Sequence, residues 1–363
     1  MSITKVEFFK HNIGEKDIAR ASEVMRQPFL SSGKVVEEFE DMLAEYLGVK
    51  YVVAVSSCTA ALHLSLLSLG MGKGKRVLTT PMTFMATSNA ILYTGAMPVF
   101  VDVDRDTGLI DLSKLSLEVD VVLPVHLYGQ MCDMERIDKM GFMPWVVLED
   151  AAHSLMVGIG ERSEGACISF YPTKEITSGE GGVFATNNIP MAEMVRSRRN
   201  HGMTKDAHSR YEKPYQHWDM EMLGYNFRMS NIQAALLLGQ LDRIDELKNR
   251  RALIWDVYAS AFRRNTKIGL IKTDSSSAKL MFTILVENRD KVLNELQERG
   301  VGVAVNYRAV HLLDYYRKRF GYKEGDFPNA EYIGNHTITL PLYPKLTQLE
   351  IEYVIEKVNE VVK

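Results

Sequence analysis

The stretch YVVAVSSCTAALHLSLLSLGM, residues 51–71, decides the fold, because a short apolar strand passes through a hydroxyl-rich turn into a helical pattern. The same order recurs where RVLTT (76–80) precedes FMATSNAILYTG (84–95) and then MPVFVDVD (97–104). Strands that alternate with helices are typical of βα units building a parallel sheet, so the sequence predicts an α/β fold. Further apolar strands are predicted over 121–129, 145–151, 167–171 and 182–187.

A change of pattern near residue 230 predicts a second structural unit. Residues 231–262 keep helical periodicity far longer than any earlier segment, which indicates one helix connecting two domains. We predict a large domain with an N-terminal arm over 1–245 and a small C-terminal α+β domain over 246–363. The polar segment 204–220 is the stretch predicted to be mobile.

Charge and composition exclude several classes of protein. A net charge of −3 and a pI near 6.3 provide no basic surface of the kind that nucleic-acid binding needs. The N-terminus lacks the apolar run of a signal peptide, and no segment approaches the roughly 20 apolar residues that span a bilayer, so we expect a cytoplasmic protein with no membrane partner. The three cysteines include no CxxC pair, which favours neither a disulfide framework nor a metal site.

Polar residues follow the predicted strands where parallel α/β sheets bind their ligands. In AVSSCTAAL (54–62) the hydroxyls and free N–H groups at a helix start could bind an anion, although capping by Ser57 explains them equally well. In VVLEDAAHS (146–154) a strand ends in Asp150, whose partner could be a protonated pyridine or a structural arginine or lysine. His153 fits either a buried structural histidine or a donor to a phenolic oxygen.

The stretch SFYPTKEITSGEGG (169–182) places a lysine between an apolar strand and a glycine-rich turn. Lys174 is either a solvated loop charge or an amine nucleophile with a lowered pKa, and the glycines would let the backbone approach a ligand closely. Phe84 follows another strand and could stack on a planar ring, although core packing is the commoner role of an aromatic residue. An anion site, a carboxylate, an amine and an aromatic plate are together what pyridoxal phosphate requires.

These motifs resemble the DegT/DnrJ/EryC1 family of pyridoxal-phosphate-dependent sugar aminotransferases, which are fold-type I enzymes. The resemblance covers nearly the whole chain, and its most specific motifs are LEDAAHS (148–154), SFYPTKEITSGEGG (169–182) and LGYNFRMSNIQAALLLGQL (223–241). It implies a large domain with a mostly parallel seven-stranded sheet flanked by helices. It also implies an aminotransferase that moves an amino group from an amino acid, L-glutamate, to a nucleotide-diphosphate keto-sugar in glycan or antibiotic-sugar biosynthesis.

The resemblance also implies a role for each matching residue. Lys174 would condense with the cofactor aldehyde and shuttle protons, and Asp150 would hold the pyridine nitrogen protonated. Asn226 would reach the cofactor phosphate of a neighbouring subunit, which makes a homodimer the expected assembly, and the segment after 204 would carry it across. The other implied cofactor contacts are His153 on the 3-oxygen, Phe84 on the ring, and Cys58, Thr59 and Ser169 on the phosphate, while Ser32, Tyr307 and His311 are the candidate substrate contacts.

Three alternatives and two departures bear on this interpretation. Some family members are sugar dehydratases with histidine at the lysine position, and a non-catalytic cofactor-binding paralogue is a further alternative. A nicotinamide oxidoreductase is disfavoured because no GxGxxG follows the early strands. Cys58 stands where the family has glycine, and its side chain narrows the phosphate pocket or demands a negative φ. Asn306 and Ala309 replace the usual histidine and proline of the substrate loop, so the resemblance does not fix the sugar or nucleotide specificity.

Overall fold

The computed structural model describes residues 3–114, 118–139, 146–203 and 217–363. Most of the segment 204–220, including the start of the proposed crossover to a partner subunit, and Trp145 lie outside the described residues. The strands are β1 Tyr51–Val55, β2 Arg76–Thr79, β3 Met97–Phe100, β4 Val121–Val122, β5 Val146–Val147, β6 Glu149–Asp150, β7 Ala166–Ser169, β8 Gly182–Thr186, β9 Gly269–Leu270, β10 Phe282–Leu285 and β11 Thr337–Leu340. The helices are α1 Glu15–Met25, α2 Lys34–Leu47, α3 Cys58–Ser68, α4 Ala86–Tyr93, α5 Met134–Lys139, α6 Ile189–Arg198, α7 Asn231–Leu241, α8 Ile244–Phe262, α9 Arg289–Glu298, α10 Asp314–Phe320, α11 Pro328–His336 and α12 Gln348–Val361.

The main sheet has the predicted α/β character. β3, β2, β4 and β5 pair in parallel in that order, and β6 pairs in parallel with β7. Because β5 and β6 are halves of one extended segment and Val125 bridges Asp150, the two groups of strands join into one sheet. Its seven strands run in the order β3, β2, β4, β5/β6, β7, β8, β1, and among the described strands of this sheet only β8 runs opposite to the other strands. The predicted mostly parallel seven-stranded sheet is confirmed.

The strand-to-helix turn at the start of the sheet is set by local chemistry. Ser57 is the N-cap of α3, and its side chain accepts the Ala60 N–H at 3.1 Å. Capping satisfies one of the N–H groups that a helix leaves unpaired in its first turn, and the others stay available. β1 and β8 pair from Tyr51 with Thr186 to Val55 with Gly182, so α3 begins at the edge where the strand ends meet.

The segment 231–262 is two helices, so the prediction of one continuous helix is wrong. α7 ends at Leu241 and α8 begins at Ile244. The break is held by Arg243, whose guanidinium bonds the Gly239 carbonyl and both carboxylate oxygens of Asp17. Periodicity alone does not reveal such a break, because both halves are made of good helix formers.

Two large apolar cores form, and a smaller cluster joins the N-terminal and C-terminal parts of the chain, since Met82 and Leu127 share it with Leu280 and Ile333. One core joins α2, β1, β7, β8 and α7, whereas another joins α8, β10, β11, α9 and α12 and includes Val6 of the N-terminal arm. β9, β10 and β11 form a second, antiparallel sheet. The domain boundary at residue 245 stays a prediction. Within the described ranges, no helix has the length and apolar character needed to cross a bilayer.

Candidate active site

The carboxyl ends of β6, β7 and β1 bring the predicted site residues to one edge of the sheet. Asp150 ends β6 opposite Cys167 of β7, and Ser169 ends β7 opposite Gly182. The chain then turns through Lys174 and returns as β8, which pairs with β1 just before α3 begins. Consecutive neighbours of the sheet therefore deliver a carboxylate, an amine and a helix N-terminus to one place.

Asp150 is a buried carboxylate at the end of β6 that accepts two hydrogen bonds. It is 3% exposed, its Oδ2 accepts the Thr87 hydroxyl at 2.7 Å, and its Oδ1 accepts the Ala152 N–H at 3.1 Å. Burial raises the pKa of Asp150, although these two hydrogen bonds and the charge of Lys174 oppose the rise. Among the described residues no lysine, arginine or histidine forms an ion pair with it. The arrangement therefore fits a cation supplied by a ligand, such as a pyridinium.

Lys174 is a buried amine. Its residue is 8% exposed, and Nζ makes no hydrogen bond or ion pair within the part of the chain that the structure describes. Burial lowers the pKa of Lys174 to about 8, while the negative charges of the Glu175 and Asp150 carboxylates partly offset the effect of burial. A lysine with such a pKa has a far larger fraction of nucleophilic free amine near neutral pH than a solvated loop lysine, although the ammonium form still predominates below a pH of about 8.

The N-terminus of α3 lies beside the start of β8. A Cβ on Gly182 would stand 2.4 Å from the Cys58 backbone nitrogen, so glycine is required there. Because Gly182 pairs with Ser169, this contact brings Ser169 close to Cys58 and Thr59. Unpaired N–H groups of a first helical turn and two neighbouring hydroxyls form a suitable site for a phosphate.

The glycines of the turn at 179–182 meet conformational and packing requirements of the protein itself. Gly179 has φ +82°, and a Cβ on Gly181 would stand 2.7 Å from the Ser178 hydroxyl. Gly182 makes room for α3 as described. Packing at Gly182 and the left-handed turn at Gly179 each require glycine, and the close approach of this backbone to a ligand stays a prediction.

His153 has a defined proton position. The Tyr128 N–H donates to its Nδ1 at 3.3 Å, so the ring proton of neutral His153 is on Nε2, which lies 2.9 Å from the Tyr307 hydroxyl. Burial, and secondarily the charge of Lys174, lowers the pKa of His153 well below its usual range and keeps the imidazole neutral. His153 is therefore both a buried, hydrogen-bonded histidine and a donor to a phenolic oxygen, that of Tyr307, and its contact with the cofactor 3-oxygen stays a prediction.

Tyr307 lies beside His153, and Phe84 lies beside Tyr307. Phe84 is 50% exposed, with its ring centroid 5.7 Å from that of Tyr307, so it is not packed into the core. The hydroxyl of Ser32 donates to the Met229 carbonyl at 2.5 Å.

His311 and Asn226 are placed differently from the other predicted site residues. His311 is fully buried, and its Nε2 lies 3.0 Å from Glu331, so it offers no surface to a substrate in this structure. Asn226 is exposed on a segment whose backbone pairs with Asn200.

Three residues that sequence reasoning missed support the site. Thr87 donates to Asp150, Tyr128 orients His153, and Arg251 donates to the Lys174 carbonyl at 3.2 Å. The burial of Arg251 could have been predicted from the sequence, because a charged residue there interrupts the apolar stripe of α8 that contains Leu247 and Ile254. No sequence spacing connects Thr87 or Tyr128 with their partners.

The comparisons decide the family. The chain matches the DegT/DnrJ/EryC1/StrS aminotransferase family over residues 11–359. It is 38% identical over 371 aligned positions to the spore coat polysaccharide biosynthesis protein SpsC of Bacillus subtilis, covering 97% of this chain and 95% of that protein. The chain belongs to this family. The sequence-based recognition and the prediction of a transaminase are confirmed.

Solved structures of this aminotransferase family share its whole fold. Spr1654 of Streptococcus pneumoniae, assigned as a sugar aminotransferase, superposes in its PMP form with a TM-score of 0.91 at 28% identity, over 99% of both chains. PseC of Helicobacter pylori, an aminotransferase involved in the biosynthesis of pseudoaminic acid, superposes with a TM-score of 0.90 at 26% identity, over 99% of both chains. The predicted fold-type I architecture and the pyridoxal phosphate cofactor are confirmed.

Proposed function

We propose that this aminotransferase transfers the amino group of an amino acid, L-glutamate, to the keto group of a nucleotide-linked sugar. The observation that carries the proposal is that a buried amine with a lowered pKa, Lys174, shares one edge of the sheet with a buried carboxylate, Asp150, which forms no ion pair among the described residues. When bound, pyridoxal phosphate supplies an aldehyde and an electron-withdrawing ring through which amino groups are exchanged.

Lys174 acts as nucleophile and proton carrier in this proposal. Its lowered pKa raises the fraction of unprotonated amine, which would be the nucleophile toward the aldehyde that the cofactor supplies, and the free amine would hold or release the proton exchanged at the substrate carbon. Because the side chain is buried, water is largely excluded from the proton that it carries. A histidine, as in the dehydratases of the family, could not form the covalent link.

Asp150 would hold the ring nitrogen of the cofactor. Thr87 and the Ala152 N–H fix the two carboxylate oxygens, which leaves the carboxylate oriented for one further donor, the pyridinium N–H. A cation in contact with this carboxylate would offset the burial that now raises its pKa.

The remaining groups orient the cofactor. The N–H groups at the start of α3, Thr59 and Ser169 would hold the phosphate, and the Nε2–H of His153 would donate to the 3-oxygen. Phe84 is exposed enough to cover the ring. Exposed Asn226 supports its assignment to the site of a partner subunit, because a residue that completes another chain's site must face outward. The cytoplasmic location remains a prediction.

Two half-reactions test the proposal. Glutamate with an isotopically labelled amino group should convert the pyridoxal form of the enzyme to the pyridoxamine form, which absorbs at shorter wavelength. A panel of nucleotide keto-sugars should then restore the first spectrum, and the label should appear in the sugar by mass spectrometry. Lys174→Ala is the control, and label in the sugar with this variant at the wild-type rate would overturn the proposal. If glutamate converts the cofactor but no sugar accepts the label, the acceptor class is wrong.

A further inference from the structure

Arg251 is a buried charge in the middle of α8. It is 2% exposed and shares the inner face of the helix with Leu247, Ile254 and Tyr258. Burying a guanidinium costs free energy unless hydrogen-bond acceptors surround it. The acceptors that Arg251 contacts therefore indicate which parts of the protein it connects.

The partners of Arg251 are main-chain carbonyls from two distant parts of the protein. Nη1 donates to Leu280 at 3.2 Å and to Leu342 at 2.7 Å, which lie at the same end of the paired strands β10 and β11. Nη2 donates to the carbonyl of Lys174 at 3.2 Å. One side chain therefore ties the C-terminal sheet to the turn that carries the reactive amine.

The same turn is fixed three residues later from α7. The Gln240 side-chain amide accepts the Thr177 N–H at 3.1 Å and donates to the Thr177 carbonyl at 2.7 Å. Gln240 thus attaches residue 177 to α7. Among the described residues, the hydrogen bond from Arg251 is the one that connects the Lys174 main chain with the C-terminal sheet.

We propose that Arg251 is a positioning residue for Lys174, holding its main chain at a fixed distance from the C-terminal sheet so that the amine reaches the cofactor aldehyde. This inference rests on the proposed function of Lys174. The guanidinium also acts through its charge, because it disfavours the ammonium form of Lys174. The other charged or titratable groups that act on this amine are Glu175, Cys58, Asp150 and His153.

The neighbouring Arg250 is a matched control. It also donates to two carbonyls, Pro344 at 3.4 Å and Leu346 at 2.8 Å, but both belong to the C-terminal part of the chain. Variants at 250 and 251 thus both lose contacts to the C-terminal part, and only those at 251 lose the link to Lys174.

The experiment compares Arg251→Met and Arg251→Lys with Arg250→Met and Arg250→Lys. Cofactor-free protein is mixed with pyridoxal phosphate across a range of pH, and covalent uptake is followed by visible absorbance and by borohydride trapping with mass spectrometry. Thermal unfolding of the cofactor-free variants measures the structural effect separately.

We expect both Arg251 variants to take up the cofactor about 10- to 100-fold more slowly, since small misplacements of a reacting group have effects of this size. Arg251→Met should also move the pH midpoint of uptake upward, because a positive charge beside the amine is lost, whereas Arg251→Lys should leave the midpoint near that of the wild type. The Arg250 variants should match the wild type in rate and midpoint.

Equal uptake rates and midpoints for variants at 250 and 251 would overturn the inference, whatever their thermal stabilities. If Arg251→Met does not fold, the comparison of the two lysine variants decides. Failure of the wild-type protein to take up pyridoxal phosphate would instead overturn the proposed function, and this inference with it.

Discussion

The Nε2 atom of His153 lies 2.9 Å from the hydroxyl oxygen of Tyr307, and the two rings are stacked with their planes 22° apart. Since the Tyr128 N–H donates to Nδ1, the Nε2 proton of neutral His153 points to this oxygen. A cofactor 3-oxygen would take the same proton, so the tyrosine and the cofactor compete for one donor. This competition predicts that substitutions of His153 and of Tyr307 have different effects on the binding of pyridoxal phosphate.

His153→Ala should weaken pyridoxal phosphate binding roughly tenfold, because a hydrogen bond of about 1 kcal/mol or more to the 3-oxygen is lost. Tyr307→Phe should leave the dissociation constant within about twofold of wild type, since its hydroxyl only occupies the donor before the cofactor arrives. Equilibrium dialysis of the Lys174→Ala background, where binding is reversible, measures both. Equal losses in the two variants would contradict this account.

Asp150→Asn should slow the half-reaction with glutamate about 10²- to 10³-fold, because the neutral amide no longer keeps the ring nitrogen protonated. Thr87→Ala removes only the hydroxyl that donates to Asp150, so a loss below about tenfold is expected. Single-turnover kinetics of the change in absorbance compare the two variants. A wild-type rate with Asp150→Asn would mean that the carboxylate does not act on the ring.

Cofactor uptake should accelerate as pH rises and level off above about 8, because burial brings the pKa of Lys174 to about 8 and only the unprotonated amine attacks. Below that pH the ammonium form predominates and uptake slows. Stopped-flow absorbance at each pH gives the midpoint, and a free lysine derivative, with a pKa near ~10.4, is the reference. A protein midpoint equal to that of the free amine would show that Lys174 is solvated.

Mixing the Lys174→Ala and Asn226→Ala proteins should restore activity that neither has alone. If Asn226 serves the partner's site, each mixed dimer has one intact site, so an equal random mixture reaches about a quarter of wild-type activity. Subunits must be exchanged by mild denaturation before the assay. No recovery in a mixture with verified mixed dimers would place Asn226 in the site of its own chain.

Much of the site was predictable from the sequence, because the residues that carry its chemistry directly follow predicted strands. Asp150, Lys174 and the start of α3 each follow a predicted strand, and parallel strands bring their carboxyl ends to one edge. The residues at which strands begin and end were less predictable. The strand predicted over 121–129 is confined to β4 and a bridge at Val125, after which the chain forms a 3₁₀ turn where Tyr128 has φ +60°.

The supporting residues were not predictable for a different reason. Thr87 and Asp150 are 63 residues apart, and Arg251 and Lys174 are 77 residues apart. No local periodicity links such pairs, because their contact depends on how strands and helices pack. The interpretation of His311 as a substrate contact had the same weakness, since a motif gives no information on burial, and the structure buries the side chain against Glu331.

The sequence by itself determined the α/β class, the family and the kind of chemistry, because apolar periodicity and the residue types at strand ends are local properties of the chain. Only the tertiary structure decided the protonation of the groups involved. Burial lowers the pKa of Lys174, raises that of Asp150 and keeps His153 neutral, and burial exists only once the sheet, the helices and the C-terminal sheet have packed around them.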